Sequence, residues 1–260
     1  MNLDLKGKRV LITGASKGIG LSTAWAFARE GCDLYLTARS ADQLQANSEA
    51  IARECNVSVT THPVDMGDSE QVGKLAERFS DADILVNNAG DIPAGNLASV
   101  SEEAWRNGWN VKVYGYINLT RHLYPRMVER RSGVIVNDIG NSGENWDANY
   151  IAGASGNASL MAFTRGLGGV SLDHGVRVVG VNPGPVATDR MVKMMKKRAT
   201  EWHGDESRWE ELHDKYPGKR PATPEEVADL IVFLASPRAG YITGTIVTID
   251  GGIASRRSII

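Results

Sequence analysis

Residues 9–31 read RVLITGASKGIGLSTAWAFAREG, and the change of period inside this stretch decides the fold. Its opening residues, Arg9 to Thr13, form the short apolar, β-branched run that a buried strand needs. From Ile19 onward apolar residues recur at three and four, the period of a helix with one buried face. Between the two stand Gly14, Gly18 and Gly20 in the spacing GxxxGxG. Glycines at a strand-to-helix junction let the backbone turn tightly, approach a pyrophosphate and pack the helix on the sheet, with amide N–H groups aimed at the anion. The flanking strand and helix give the motif its specificity, since a glycine-rich turn alone is a weak signal.

The same alternation continues outward. Further strand-like runs are CDLYLTA, VSVTTHPVD, ADILVNNAG, SGVIVND, GVRVVGVNPG and TIVTIDGG, separated by helical segments such as EEVADLIVFLAS. The order β-α-β-α implies a parallel sheet covered on both faces. The predicted class is α/β: a Rossmann-type, doubly wound, seven-stranded and mainly parallel sheet. No repeat, low-complexity tract or Pro/Ser-rich linker divides the chain, so residues 1–260 are expected to form a single dinucleotide-binding domain. One compositional break, MVKMMKKRATEWHGDESRWEELHDKYPGKR at 191–220, is polar and Trp-bearing, and is expected to be a lid insertion at about 190–220.

Composition excludes several functions. The 260 residues are 42% hydrophobic and 23% charged, ordinary values for a chain with one large core. A net charge of −2 provides no field for nucleic acid or an anionic membrane. Cys32 and Cys55 share no metal-ligand or disulfide spacing, and no metal site is expected. The five histidines are scattered without a nucleophile partner. The amino-terminal residues MNLDLKGKRVLITG enter a strand directly, without the charged and apolar regions of a signal peptide, so a cytoplasmic location is expected.

Cofactor choice is read at the end of the second strand-like run. An Asp or Glu about twenty residues past the glycines holds the 2′-hydroxyl of NAD, whereas an Arg accommodates the 2′-phosphate of NADP. Here the strand ends in Ala38 and Arg39, and Lys17 adds a second cation within the glycine turn. NADP(H) is therefore expected over NAD(H).

TGASKGIG, PVDMGD, NNAG, NPGPVATDR and YITGTIVTIDGG together resemble a classical short-chain dehydrogenase/reductase over nearly the whole chain. The resemblance implies a cofactor site made from Gly14, Ser16, Lys17, Gly18, Ile19, Gly20, Arg39, Asp65, Met66, Asn88, Ala89, Gly90, Pro183, Gly184, Val186 and Thr188. In it Asp65 would hold the adenine amino group, Asn88 to Gly90 would line the adenosine ribose, and Pro183 to Thr188 would embrace the nicotinamide. It also implies self-association to a dimer or tetramer, most simply a homotetramer, in keeping with the apolar closing segment GYITGTIVTIDGGI.

The family's proton-transfer residues are Asn, Ser, Tyr and Lys. With Phe163 fixing the register of GNASLMAFTRGLG, these positions fall on Lys112, Gly140, Gly153 and Asn157. The family resemblance thus implies a divergent member without the usual Ser-Tyr-Lys set. Carbonyl reduction still needs a proton donor near the developing alkoxide. Tyr150, Ser142, Ser155, Glu144 and water are the alternatives, with Ser155 also readable as a helix cap and Tyr150 as a packing aromatic. Lys112, Tyr150 and Asn157 are the catalytic candidates. Lys112, Asp138 and Asn157 are expected to form a polar network under the nicotinamide. The expected function is NADP(H)-dependent oxidation or reduction of a partly apolar carbonyl or alcohol with a non-standard proton donor. The alternatives are a cofactor-binding protein without redox turnover, or a lyase or isomerase reusing the pocket. In the lid, Met191, Met194 and Met195 are expected to form one apolar stripe, while Trp202 and Trp209 either close over a substrate or pack on the body.

Overall fold

The structure, a computed structural model, describes residues 2–256. The expected strands appear as β1 (Arg9–Thr13), β2 (Asp33–Ala38), β3 (Val59–Pro63), β4 (Ile84–Asn87), β5 (Gly133–Asp138), β6 (Val176–Pro183) and β7 (Ile246–Ile249). They form one seven-stranded sheet in the order β3-β2-β1-β4-β5-β6-β7. Every pairing is parallel. The fold is a Rossmann-type doubly wound α/β sheet. Helix α1 (Gly18–Arg29) carries the chain from β1 outward to β2, and the chain later returns to place β4 on β1's other side. The winding reverses there, which opens a crevice beyond the carboxyl ends of β1 and β4.

Both faces of the sheet are buried, as the continuous apolar strands require. On one face Val10, Ile12, Leu34, Val86 and Val136 pack with α1, α2 (Ala41–Cys55) and α8 (Pro224–Ala235). On the other, Leu11, Leu85 and Ile135 pack with α3 (Ser69–Arg78) and α5 (Gly115–Glu129). Buried polar side chains pin the strand ends that matter for the crevice. Thr13 Oγ1 accepts from the N–H groups of Asn88 at 2.9 Å and Ala89 at 3.0 Å. The Asn87 amide donates to Asn137 Oδ1 at 2.9 Å and Thr120 Oγ1 at 3.1 Å, and Asn137 donates to Thr164 Oγ1 at 2.9 Å. These bonds tie β4 and β5 to α5 and to α6 (Ile151–Ser171).

The segment expected to be a lid begins with α7 (Asp189–His203) and continues as a 3-10 segment over Glu206–Lys215. Met191, Met195, Ala199 and Leu212 form a small core of their own, with Trp209 and Tyr216 packed against it. Met194 remains 39% exposed, so the expected three-methionine stripe is a pair. Residues 191 and 195 share a helix face and 194 falls beside it. Trp202 is exposed, with Lys215 Nζ 5.4 Å from its ring centroid, while Trp209 packs within the lid. Among the described residues no helix is long and apolar enough to cross a membrane.

Candidate active site

A cleft of about 410 Å³ occupies the crevice at the carboxyl ends of the strands. Most of the cofactor positions expected from sequence line it: the glycine turn from Gly14 to Ile19, then Arg39, Asp65, Met66, Asn88, Ala89, Gly90 and Thr188. Gly20, Pro183, Gly184 and Val186 do not. Gly20 packs directly against the Gly14 carbonyl, Gly184 has the Asp250 Cβ 2.7 Å from where its own would lie, and Val186 belongs to the core. Pro183 ends the fully buried β6. These four shape the cleft from behind.

The chemistry of the outer part suits a dinucleotide phosphate. Gly14 has φ +70°, and a Cβ there would stand 2.8 Å from Asn88 Nδ2 and 2.9 Å from Ala89 Cα, so only glycine allows this close turn. The N-cap of α1, Lys17, makes no side-chain capping bond, which leaves first-turn N–H groups for an anion. Lys17 and Arg39 add cations to the same cleft. Asp91 joins the picture from the loop after β4, with carboxylate oxygens 3.5 Å from Arg39 and 3.7 Å from Arg190. Both pairs are solvent-exposed and therefore weak. Asn88 lines the cleft but commits its amide to the carbonyls of Thr13 at 2.8 Å and Gly14 at 3.3 Å.

At the start of α6 the N-cap residue is Tyr150, and its ring lies over the α-carbon of Gly153. A Cβ at position 153 would stand 2.6 Å from Tyr150 Cε2, and Cζ and Cε1 are closer still. The side-chain volume beside Gly153 is therefore filled by a phenol from one turn earlier. The Arg190 guanidinium acts on that phenol through its charge and a side-chain hydrogen bond, and donates to the Ile92 carbonyl at 2.9 Å. Burial raises the Tyr150 pKa, Arg190 opposes this and Asp91 reinforces it, so the hydroxyl keeps its proton at neutral pH. The backbone also holds the residue: Gly95 N–H donates to the Asn149 carbonyl at 2.7 Å.

Lys112 lies in a π-helical turn, Asn110–Tyr114, between α4 (Glu102–Trp109) and α5. Such turns widen a helix by one residue and re-aim its side chains, often at functional sites. Lys112 points inward: its stem packs over Gly90, and its ammonium donates to the Ile139 carbonyl. Burial pushes its pKa down to about 8, opposed by Asp138 and aided by Arg190. Asp138 is buried, lines the cleft, and has its pKa pushed up to about 6 by burial, with Lys112 pulling the other way. Asn157 behaves differently from expectation. Its amide donates to Ser142 Oγ at 2.7 Å and the Gly140 carbonyl at 3.3 Å, while its Oδ1 is buried without a hydrogen-bond partner. Lys112 and Asn157 thus bond to the consecutive carbonyls of residues 139 and 140, and the expected three-residue network reduces to an electrostatic Lys112–Asp138 pair.

The remaining donor candidates are engaged. Ser155 Oγ donates back to the carbonyls of Ile151 at 2.8 Å and Ala152 at 3.3 Å, so it does not cap α6. Ser142 accepts from Asn157, and Glu144 pairs with Arg165 at 3.2 Å. Two residues at this site, Arg190 and Asp91, were not expected from sequence. Their signals were charges directly after the NPGPVATD and NNAG motifs.

Comparisons with known proteins agree with this geometry. Residues 14–254 match the family model described as enoyl-(acyl carrier protein) reductase. A 3-oxoacyl-[acyl-carrier-protein] reductase of Thermotoga maritima is 32% identical, with 96% of this chain and 99% of that protein covered. A 2-keto-3-deoxy-L-fuconate dehydrogenase of Xanthomonas campestris is 31% identical, with 96% of this chain and 81% of that protein covered. Among solved structures, L-sorbose reductase from Gluconobacter frateurii, complexed with NADPH and L-sorbose, superposes with a TM-score of 0.93 at 32% identity, covering 99% of this chain and 100% of that one. The cleft, the sheet order and these similarities together show that the chain belongs to the classical short-chain dehydrogenase/reductase family of oxidoreductases.

Proposed function

We propose that this oxidoreductase uses NADPH to reduce the carbonyl of a partly apolar small molecule, and that Tyr150 supplies the proton. The observation that carries this reading is the Tyr150 ring seated over Gly153. By family resemblance position 153 is where the usual tyrosine stands, so the phenol returns to that place from a residue three positions earlier. A bound NADPH supplies the hydride to the carbonyl carbon. Tyr150 donates its phenolic proton to the carbonyl oxygen, and Arg190 stabilises the phenolate left behind. Because burial keeps Tyr150 protonated, the residue suits reduction better than alcohol oxidation.

Preference for NADP(H) is supported by Arg39 and Lys17 in the cleft, by Ala38 in place of a carboxylate, and by the NADPH bound in the sorbose reductase structure. A homotetramer belongs to the same reading and is checked by light scattering.

The test is NADPH oxidation over a panel of ketones. Tyr150→Phe is expected to lower kcat/KM by about 10²–10⁴-fold while leaving NADPH affinity unchanged. Full turnover in that variant would show another donor. Tight NADPH binding with no turnover on any ketone would make the chain a cofactor-binding protein, and substrate conversion with the cofactor unchanged would make it a lyase or isomerase.

A further inference from the structure

Asp138 closes β5, and its position along the sheet fixes which part of a dinucleotide it meets. Arg39 follows β2, the glycine turn follows β1, and the order β2-β1-β4-β5 places Asp138 three strands from Arg39. At the usual strand spacing that is roughly 14 Å. A dinucleotide with its 2′-phosphate at Arg39 and its pyrophosphate on the glycine turn would bring its nicotinamide to the end of β5.

The carboxylate there is unusual. Asp138 is 7% exposed and lines the cleft, yet among the described residues its side chain accepts no hydrogen bond and forms no close ion pair. Tyr116 bonds to its backbone carbonyl at 2.9 Å, not to its carboxylate. Lys112 attracts it but places its ammonium on the Ile139 carbonyl. The Asp138 carboxylate faces the cleft with no protein donor on it, so a positive group that enters the cleft meets an unneutralised charge with little other solvation. The nicotinamide ring carries a full positive charge when oxidised and none when reduced.

We infer that Asp138 makes the site discriminate between the two redox forms of its cofactor, holding oxidised NADP⁺ more tightly than the unaided cleft would and leaving NADPH almost unaffected. Bound NADPH becomes a stronger hydride donor for that reason, because its product form is the one stabilised. The other charged groups around this end are Lys112 from the π-helical turn, Arg190 and Asp189 from the first turn of α7, and Asp91 and Lys17 on the cleft wall, with the phenols of Tyr116 and Tyr150 nearby. Lys112 weakens the effect without cancelling it, because its ammonium sits on the Ile139 carbonyl and not within ion-pair distance of the Asp138 carboxylate.

The inference rests on the reading that the cleft takes a nicotinamide dinucleotide, and binding measurements without any substrate separate the two. Calorimetry gives Kd for NADP⁺ and for NADPH in the wild type, Asp138→Asn and Asp138→Glu. The ratio Kd(NADPH)/Kd(NADP⁺) should fall roughly tenfold or more in Asp138→Asn, almost entirely through weaker NADP⁺ binding, and stay close to wild type in Asp138→Glu. In the wild type alone the ratio should rise between pH 5 and 8 as Asp138 ionises. The 2′-phosphate is common to both forms and cancels from the ratio. Both forms binding with a ratio indifferent to Asp138→Asn, or to pH if that variant does not fold, overturns the inference and leaves the cofactor reading standing. Neither form binding overturns both.

Discussion

The two halves of the cleft are built on opposite principles. In the outer half, around β1, β2 and β4, the backbone makes the site: a glycine turn, an uncapped helix N-terminus and side chains such as Asn88 that hold the turn rather than face a ligand. In the inner half, around β5, α6 and α7, side chains make it: Arg190 and Asp138 line the cleft, with Tyr150 beside Arg190 and Lys112 beside Asp138 behind them. A site made of backbone survives only with the same residues at the same places. A site made of side chains can keep a functional group in place while the residue that supplies it changes.

That contrast is sharpest at Gly153→Ala. The added methyl coincides with the Tyr150 ring, which has to move, and a displaced acid should cost about 10²-fold in kcat. NADPH affinity should be intact, because the outer half is untouched; a parallel loss of cofactor binding would break the division. Arg39→Asp probes the other side. It should weaken NADP(H) by about 1.5–3 kcal/mol, seen by calorimetry, with NAD(H) not weakened, and equal wild-type affinities for the two cofactors would overturn the assignment. The smallest expected effect is on stability. Asp138 has a folded pKa of about 6 against an ordinary value of 3.8, so the native state holds more protons than the unfolded one between those values. Stability should therefore fall as pH rises from about 4 to 6, and denaturant melts of Asp138→Asn should lack that slope.

The succession of strands and helices, the glycine turn and the cations at 17 and 39 were legible in sequence because each rests on local period or spacing. In the inner half the sequence named Lys112, Tyr150 and Asp138 but not how they sit relative to one another. Counting residues along α6 puts glycine at position 153, and counting cannot show that a ring at the N-cap folds back over it. The readable hint was that residues three apart share a helix face, so a glycine three after a tyrosine leaves room for the ring. The π-helical turn at Asn110–Tyr114 escaped notice for a related reason: an extra residue in one turn leaves the apolar pattern on both sides nearly unchanged. Asn157 was expected beside Lys112 and Asp138, and its actual bonds to Ser142 and the Gly140 carbonyl depend on how the chain leaves β5, which no periodicity records.

Gly140 has a consequence for which side chains such a site accepts. Its φ of +112° suits glycine alone, and a Cβ there would stand 3.0 Å from Asn157 Nδ2. A serine at 140 thus strains the backbone, and a tyrosine at 153 collides with Tyr150. Neither position accepts a side chain by one substitution without disturbing its neighbour. In terms of tolerance to substitution, the end of β5 and the first turn of α6 are coupled: a side chain at 140 calls for a change at 157, and one at 153 calls for a change at 150.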